Sequence, residues 1–148
     1  MRKVTLQTID RKITSILTRL PKAAAAVKIR LPEIKNGEVY VGGTIGLDGR
    51  TTHTILLPGE KTDINWVSAL AWARGLLTDG TSDLPNRIEQ AMLWAHHRKL
   101  FQERAYWSNE QSAHDSGYAW GQSFSNGGQG DWRKTDKGMA RAVRRIED

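Results

Sequence analysis

Glu38-Val39-Tyr40-Val41-Gly42-Gly43-Thr44-Ile45 and Thr52-His53-Thr54-Ile55-Leu56-Leu57, on either side of Asp48-Gly49, set the class of fold. β-Branched and aromatic side chains suit an extended, half-buried backbone, and an Asp-Gly pair between two such runs supplies the positive φ of a tight turn. The spacing predicts an antiparallel hairpin. After it the period lengthens to that of a helix: Trp66, Ala69, Leu70 and Ala73 share one face, and Trp72, Leu76 and Leu77 widen it. Asn65 or Asp63 supplies the cap, and Gly75 or Gly80 the end. A second helix is predicted after Asp83 or Leu84, with Pro85 near its first turn and Ile88, Met92, Leu93 and residues 95–100 buried in part. Strands then return at 105–108, 118–124 and 139–146, with a glycine-rich loop at 126–130. Strands on both sides of two helices make an α+β domain.

Upstream of the hairpin, Leu6, Ile9, Ile13, Ile16 and Leu20 recur at spacings of three and four, the narrow apolar stripe of an amphipathic helix that Pro21 closes. Two readings stand for this stripe: packing on its own domain, or joining copies into a homo-oligomer. Leu31-Pro32 marks a boundary, because a residue before proline is pushed out of the helical region. The expected division is a basic N-terminal helix and linker over 1–35 and a main domain over 36–148.

The net charge of +6 is unevenly spread. Residues 1–35 hold nine basic side chains against two acids, so the whole excess lies there and the main domain is close to neutral. Arg2, Lys3, Arg11, Lys12, Arg19 and Lys22 are therefore the candidate phosphate contacts of a nucleic-acid reading. At 148 residues the chain is one domain with an appendage, long enough to bury a core without staples. It has no cysteine, which removes thiolate nucleophiles, zinc-thiolate sites, iron-sulfur clusters and disulfide chemistry. No apolar run reaches a membrane span and Met1 to Asp10 lack the apolar core of a secretory signal, so a cytoplasmic place is expected.

Catalytic motifs are not evident. Gly42-Gly43-Thr44-Ile45-Gly46 leads into a hairpin instead of a helix and lacks the Gly-Lys-Ser/Thr of a phosphate loop. Adjacent helix positions point about 100° apart, so His96 and His97 cannot face one metal, and neither has a histidine four residues away. No metal, no cofactor and no enzyme activity are expected.

The region from Asn109 to Lys134 interleaves aromatics with amides and glycines, which suits a binding face: rigid contact area beside adaptable hydrogen bonds. Its candidate contacts are Asn109, Gln111, Asp115, Tyr118, Gln122, Asn126, Gln129, Trp132, Arg133 and Lys134. Strand alternation puts Tyr118, Trp120 and Gln122 on one side and Ala119, Gly121 and Ser123 on the other. Trp120 and Trp107 are assigned to the core. Trp132, in a polar stretch beside Arg133 and Lys134, is the expected exposed aromatic contact.

Four ordered motifs carry a family resemblance: Asp83 to Gln90, Tyr106-Trp107-Ser108, Tyr118-Ala119-Trp120 with Phe124 to Gly128, and Arg141 to Arg145. Over roughly residues 37 to 146 the chain resembles the Lcl C-terminal type of domain, in the C-type-lectin-like superfamily. The resemblance implies two helices against small twisted antiparallel sheets, with the N and C termini of the unit paired. It implies scaffold roles for Pro85, Arg87, Glu89, Trp107 and Arg144, with Arg87 and Glu89 tying a helix start to adjacent strands. It also implies a phage or prophage origin. The calcium-binding triplets of sugar-binding lectins are absent: Leu84-Pro85-Asn86 and Trp107-Ser108-Asn109 stand in the chain instead.

The expected function is a non-catalytic phage or prophage binding module that presents its C-terminal loop face to a host or virion protein. It would serve as an intracellular anti-defence inhibitor of a host factor or as a virion attachment protein. A nucleic-acid accessory protein acting through the basic segment, and an enzyme of unknown chemistry, are the alternatives.

Overall fold

The computed structural model describes Thr14 and residues 30–148. The apolar stripe from Leu6 to Leu20 and the six candidate phosphate contacts lie outside these residues. Pro32–Asp148 forms one compact unit. Its elements run β1 (Val39–Ile45), β2 (Thr51–Leu56), β3 (Lys61–Ile64), α1 (Trp66–Arg74), β4 (Ser82–Asp83) and α2 (Arg87–His97). A short 3₁₀ turn follows, then β5 (Ala105–Gln111), β6 (Tyr118–Ser123), β7 (Gln129–Arg133), β8 (Gly138–Ala140) and β9 (Val143–Glu147). The domain is α+β, as the order of periodicities requires.

β1 and β2 form the expected antiparallel hairpin, Val39 opposite Leu56 and Ile45 opposite Thr51, with Gly49 at φ +80° in the turn. They belong to a four-stranded sheet ordered β1-β2-β9-β4. The C-terminal strand thus pairs with the second strand, in the sheet that also holds the first. Arg144 on β9 still reaches the start of β1, where Glu38 takes two 2.8 Å hydrogen bonds from its Nε and Nη2. The other sheet is ordered β3-β8-β5-β6-β7 and is antiparallel except where β5 meets β8.

α1 is capped by Asn65, whose side chain accepts from Ser68 N, and ends at Gly75. Its buried side chains Trp66, Ala69 and Ala73 pack with Leu84, Trp107, Ala119 and Ala140. α2 buries Leu93 with Val41, Leu56, Tyr106, Phe124, Met139 and Val143. The five-stranded sheet therefore has an α1 side, holding Trp107 and Ala119, and an α2 side, holding Tyr106 and Met139.

Several expectations change. Pro85 precedes the helix, and Asn86 is the cap of α2. Ile88, Ala95 and Leu100 are exposed, since the core face of α2 is made instead by Glu89, Gln90 and Leu93. The single strand expected over 139–146 is two, because Arg141-Ala142 carries the chain from one sheet to the other. The glycine-rich loop is shorter than expected: Gln129 already begins β7. Two short strands, β3 and β4, had no sequence signal strong enough to read.

Candidate functional site

α2 starts on a reciprocal cap. Asn86 Oδ1 accepts from Glu89 N at 2.8 Å, and Glu89 Oε2 accepts from Asn86 N at 2.7 Å. Such a box fixes the entry of the helix and aims the intervening side chains. Glu89 is spent on the frame: it also takes Arg145 Nε at 2.7 Å, Arg145 Nη2 at 2.6 Å and the Thr54 hydroxyl at 3.0 Å. One buried carboxylate thus joins α2 to β2 and β9, the tie expected of a helix start.

Arg87, the first residue of α2, points to β6 and β7 instead. Its backbone N–H donates to Glu110 Oε2 at 2.6 Å, and its guanidinium lies 3.6 Å from the centre of the Trp120 ring. Its Nε donates to Gln129 Oε1 at 3.0 Å. Gln129 Nε2 in turn donates to Arg87 O at 2.7 Å and to Gln122 Oε1 at 3.1 Å. Gln122 Nε2 donates to Ser123 O and Gly128 O. Both amides are therefore satisfied internally, and together they hold the arginine still. The two Nη groups of Arg87 make no hydrogen bond with any described residue.

This platform opens on a groove of about 620 Å³ whose wall includes Arg87, Ile88, Trp94, Glu110, Gln122 and Gln129. Ile88 is 64% exposed there. Beyond Trp120 the same side of the hairpin carries Tyr118 and Arg133, joined at 3.3 Å, and Asp131, which is opposite Trp120 in register. The groove floor needs a glycine at 127. Gly127 has φ +82°, and a Cβ there would stand 2.5 Å from the Trp94 ring.

The ten residues read from sequence do not form one face. Tyr118, Gln122, Gln129 and Arg133 fall on the α2 side of β6 and β7, but Gln122 is 1% exposed and supports the groove without offering itself to a ligand. Trp132, Lys134 and Gln111 lie on the opposite side, where Lys134 Nζ sits 4.5 Å from the Trp66 ring and donates to Gln111 at 2.6 Å. Asn109 is bound to Asp83 within the frame. Asp115 and Asn126 shape turns, accepting from Gly117 N and Gly128 N.

The two tryptophans are both half-buried, not one in the core and one exposed as expected. Ala119 and Gly121 leave a hollow on the α1 side, and Trp132 fills it: its ring meets Trp107 edge-on at 6.4 Å and blocks any Cβ at Gly121. Trp132 is half-buried against the core. Trp120 lies on the α2 side, half-buried under Arg87 instead of within the core. Arg87, Ile88, Trp94, Glu110 and Asp131 were missing from the candidate set.

Polar clusters elsewhere serve the frame. Tyr106 is pushed up to about 12 by burial, and its hydroxyl donates to Glu60 at 3.0 Å. Arg141 is held below its ordinary value by desolvation and spends its Nη groups on Leu100 O and Leu57 O. Buried His53 lies between the Tyr40 hydroxyl and Asp148, each at 2.9 Å, which pins the last strand to the first hairpin. Among the described residues no group of three or more His, Asp or Glu side chains is placed to hold a metal ion, and no helix is long and apolar enough to cross a membrane. No family model matches the chain, and no curated protein matches it.

Proposed function

We propose that the chain is a non-catalytic binding module that recognises a protein through the α2 side of the β6–β7 hairpin. The observation that carries this reading is the Arg87–Trp120 platform. A large aromatic and a cation stand half-exposed against each other, the cation on the wall of a groove, while every amide that supports them is satisfied internally. Rigid aromatics and arginines of this kind contribute most of the affinity in protein interfaces. Glu110 and Asp131 balance Arg87 and Arg133 there, so the face has no excess positive charge to draw a nucleic-acid backbone. In keeping with the motif resemblance, the domain is a variant of the C-type-lectin-like frame and the protein a phage or prophage product acting on a host or virion protein. The basic segment over 1–35 adds phosphate affinity in the alternative reading.

The test is affinity capture from infected or lysogenic cells with the full chain, compared with Trp120→Ala and with Val67→Asp, whose exposed position on α1 lies on the other side of the sheet. Loss of one protein with Trp120→Ala and its retention with Val67→Asp is the expected result. Equal capture by all three would defeat the reading.

A further inference from the structure

We infer that the outer edge of Arg87 is a carboxylate subsite, fitted to an acidic side chain of the partner protein. The inference rests on the reading above and names the group that this face grips.

An arginine grips a carboxylate best when its plane is fixed beforehand, because two parallel N–H···O bonds then form without losing side-chain freedom. Arg87 meets that condition from two directions: Trp120 lies against its plane at 3.6 Å, and Gln129 ties its Nε at 3.0 Å. What is left is the Nη edge. Arg144 has spent its Nη edge on Glu38, Arg145 on Glu89, Arg74 on Asp83 and Arg141 on two carbonyls, while Arg133, whose Nε reaches Tyr118, has no aromatic ring of a described residue against its plane. Arg87 is held by one amide and one ring and has no acid on its Nη groups among the described residues.

The surroundings narrow the ligand further. Glu110 is engaged by the Arg87 backbone N–H, and exposed Asp131 follows on β7. Glu110 and Asp131 balance Arg87 and Arg133 on this face, which favours a single carboxylate over a run of negative charges. Exposed Ile88 and half-buried Trp94 line the same groove, which suits an apolar residue next to the acidic one.

The probes are the tripeptides Ac-Leu-Glu-Leu-NH2 and Ac-Leu-Gln-Leu-NH2, titrated into the full chain while the indole N–H signal of Trp120, assigned with Trp120→Phe, is followed by ¹H–¹⁵N NMR. The acidic tripeptide is expected to shift it saturably and to bind about tenfold more tightly than its amide twin, the scale of one charge-assisted hydrogen bond. Arg87→Gln should erase the preference, and Arg87→Lys should keep only part of it. The indole signals of Trp66 and Trp107, bonded to Ser108 O and Ile64 O, report whether a variant keeps its fold. If Arg87→Gln does not, the two tripeptides on the unaltered chain decide alone. Equal binding of both, no shift with either, or a preference that survives Arg87→Gln in a folded protein would overturn the inference. Should it fail while capture still depends on Trp120, only the carboxylate is lost; should capture also ignore Trp120, the face is lost with it.

Discussion

Glu89→Ala should be among the most destabilising single substitutions in this domain. The carboxylate is 2% exposed and accepts four hydrogen bonds, from Asn86 N, the Thr54 hydroxyl and two nitrogens of Arg145. Removing it leaves the half-buried Arg145 cation facing Asp83 only at 3.8 Å and leaves buried Thr54 without its acceptor. Breaking a buried pair by deleting one partner costs about 3–5 kcal/mol, and losing half a capping box is the smaller effect, on the order of 0.5–2 kcal/mol. We expect a loss of about 4 kcal/mol. Urea unfolding followed by tryptophan fluorescence reads it directly: with a slope of about 2 kcal/mol per M, the midpoint falls by about 2 M. A paired change of Glu89→Leu with Arg145→Met should recover much of the loss, because it removes both charges together. A loss below about 1 kcal/mol for Glu89→Ala would refute the view that this carboxylate joins helix to sheet.

Gly127→Ala should destabilise by about 2–3 kcal/mol, since alanine at φ +82° is strained and its Cβ would overlap the Trp94 ring; a fall in melting temperature checks it. Glu38 is held below its ordinary value of 4.5, first by the hydrogen bonds from Arg144, so its contribution to stability is complete above that value and fades as pH falls through the lowered one. Urea midpoints measured from pH 7 down to about 3 should therefore decline more steeply for the wild type than for Glu38→Gln. In a spectrophotometric titration of the folded protein, burial should hold back ionisation of Tyr106 to about pH 12. Tyr106→Phe should remove that step.

The elements that the sequence displays openly are those whose signals are local. Asp48-Gly49 between two β-rich runs specifies its hairpin within twenty residues, and the Trp66-Ala69-Ala73 face specifies the side of α1 that is buried. The start of α2 was also written there, in the spacing of Asn86 and Glu89, but Pro85 drew the expected boundary two residues early. Alternation along β6 correctly separates Trp120 from Ala119 and Gly121, yet it cannot say which side is covered. That depends on β7, whose Trp132 enters the hollow over Gly121, and on α2, whose Arg87 reaches back across forty-two residues to Gln129. The site was half legible for the same reason: Tyr118 and Arg133 share the face by local register, whereas Ile88, Trp94 and Glu110 reach it only through tertiary packing.

Trp120→Ala and Trp132→Ala, measured side by side for unfolding free energy and for capture of the partner protein, test the assignment of the two sides of the hairpin most directly. Trp132→Ala should lose about 2–4 kcal/mol, as a large-to-small change against the core, while the fraction that stays folded still binds. Trp120→Ala should lose capture and much less stability. Capture untouched by Trp120→Ala, or abolished by Trp132→Ala in a protein that remains folded, would contradict the account.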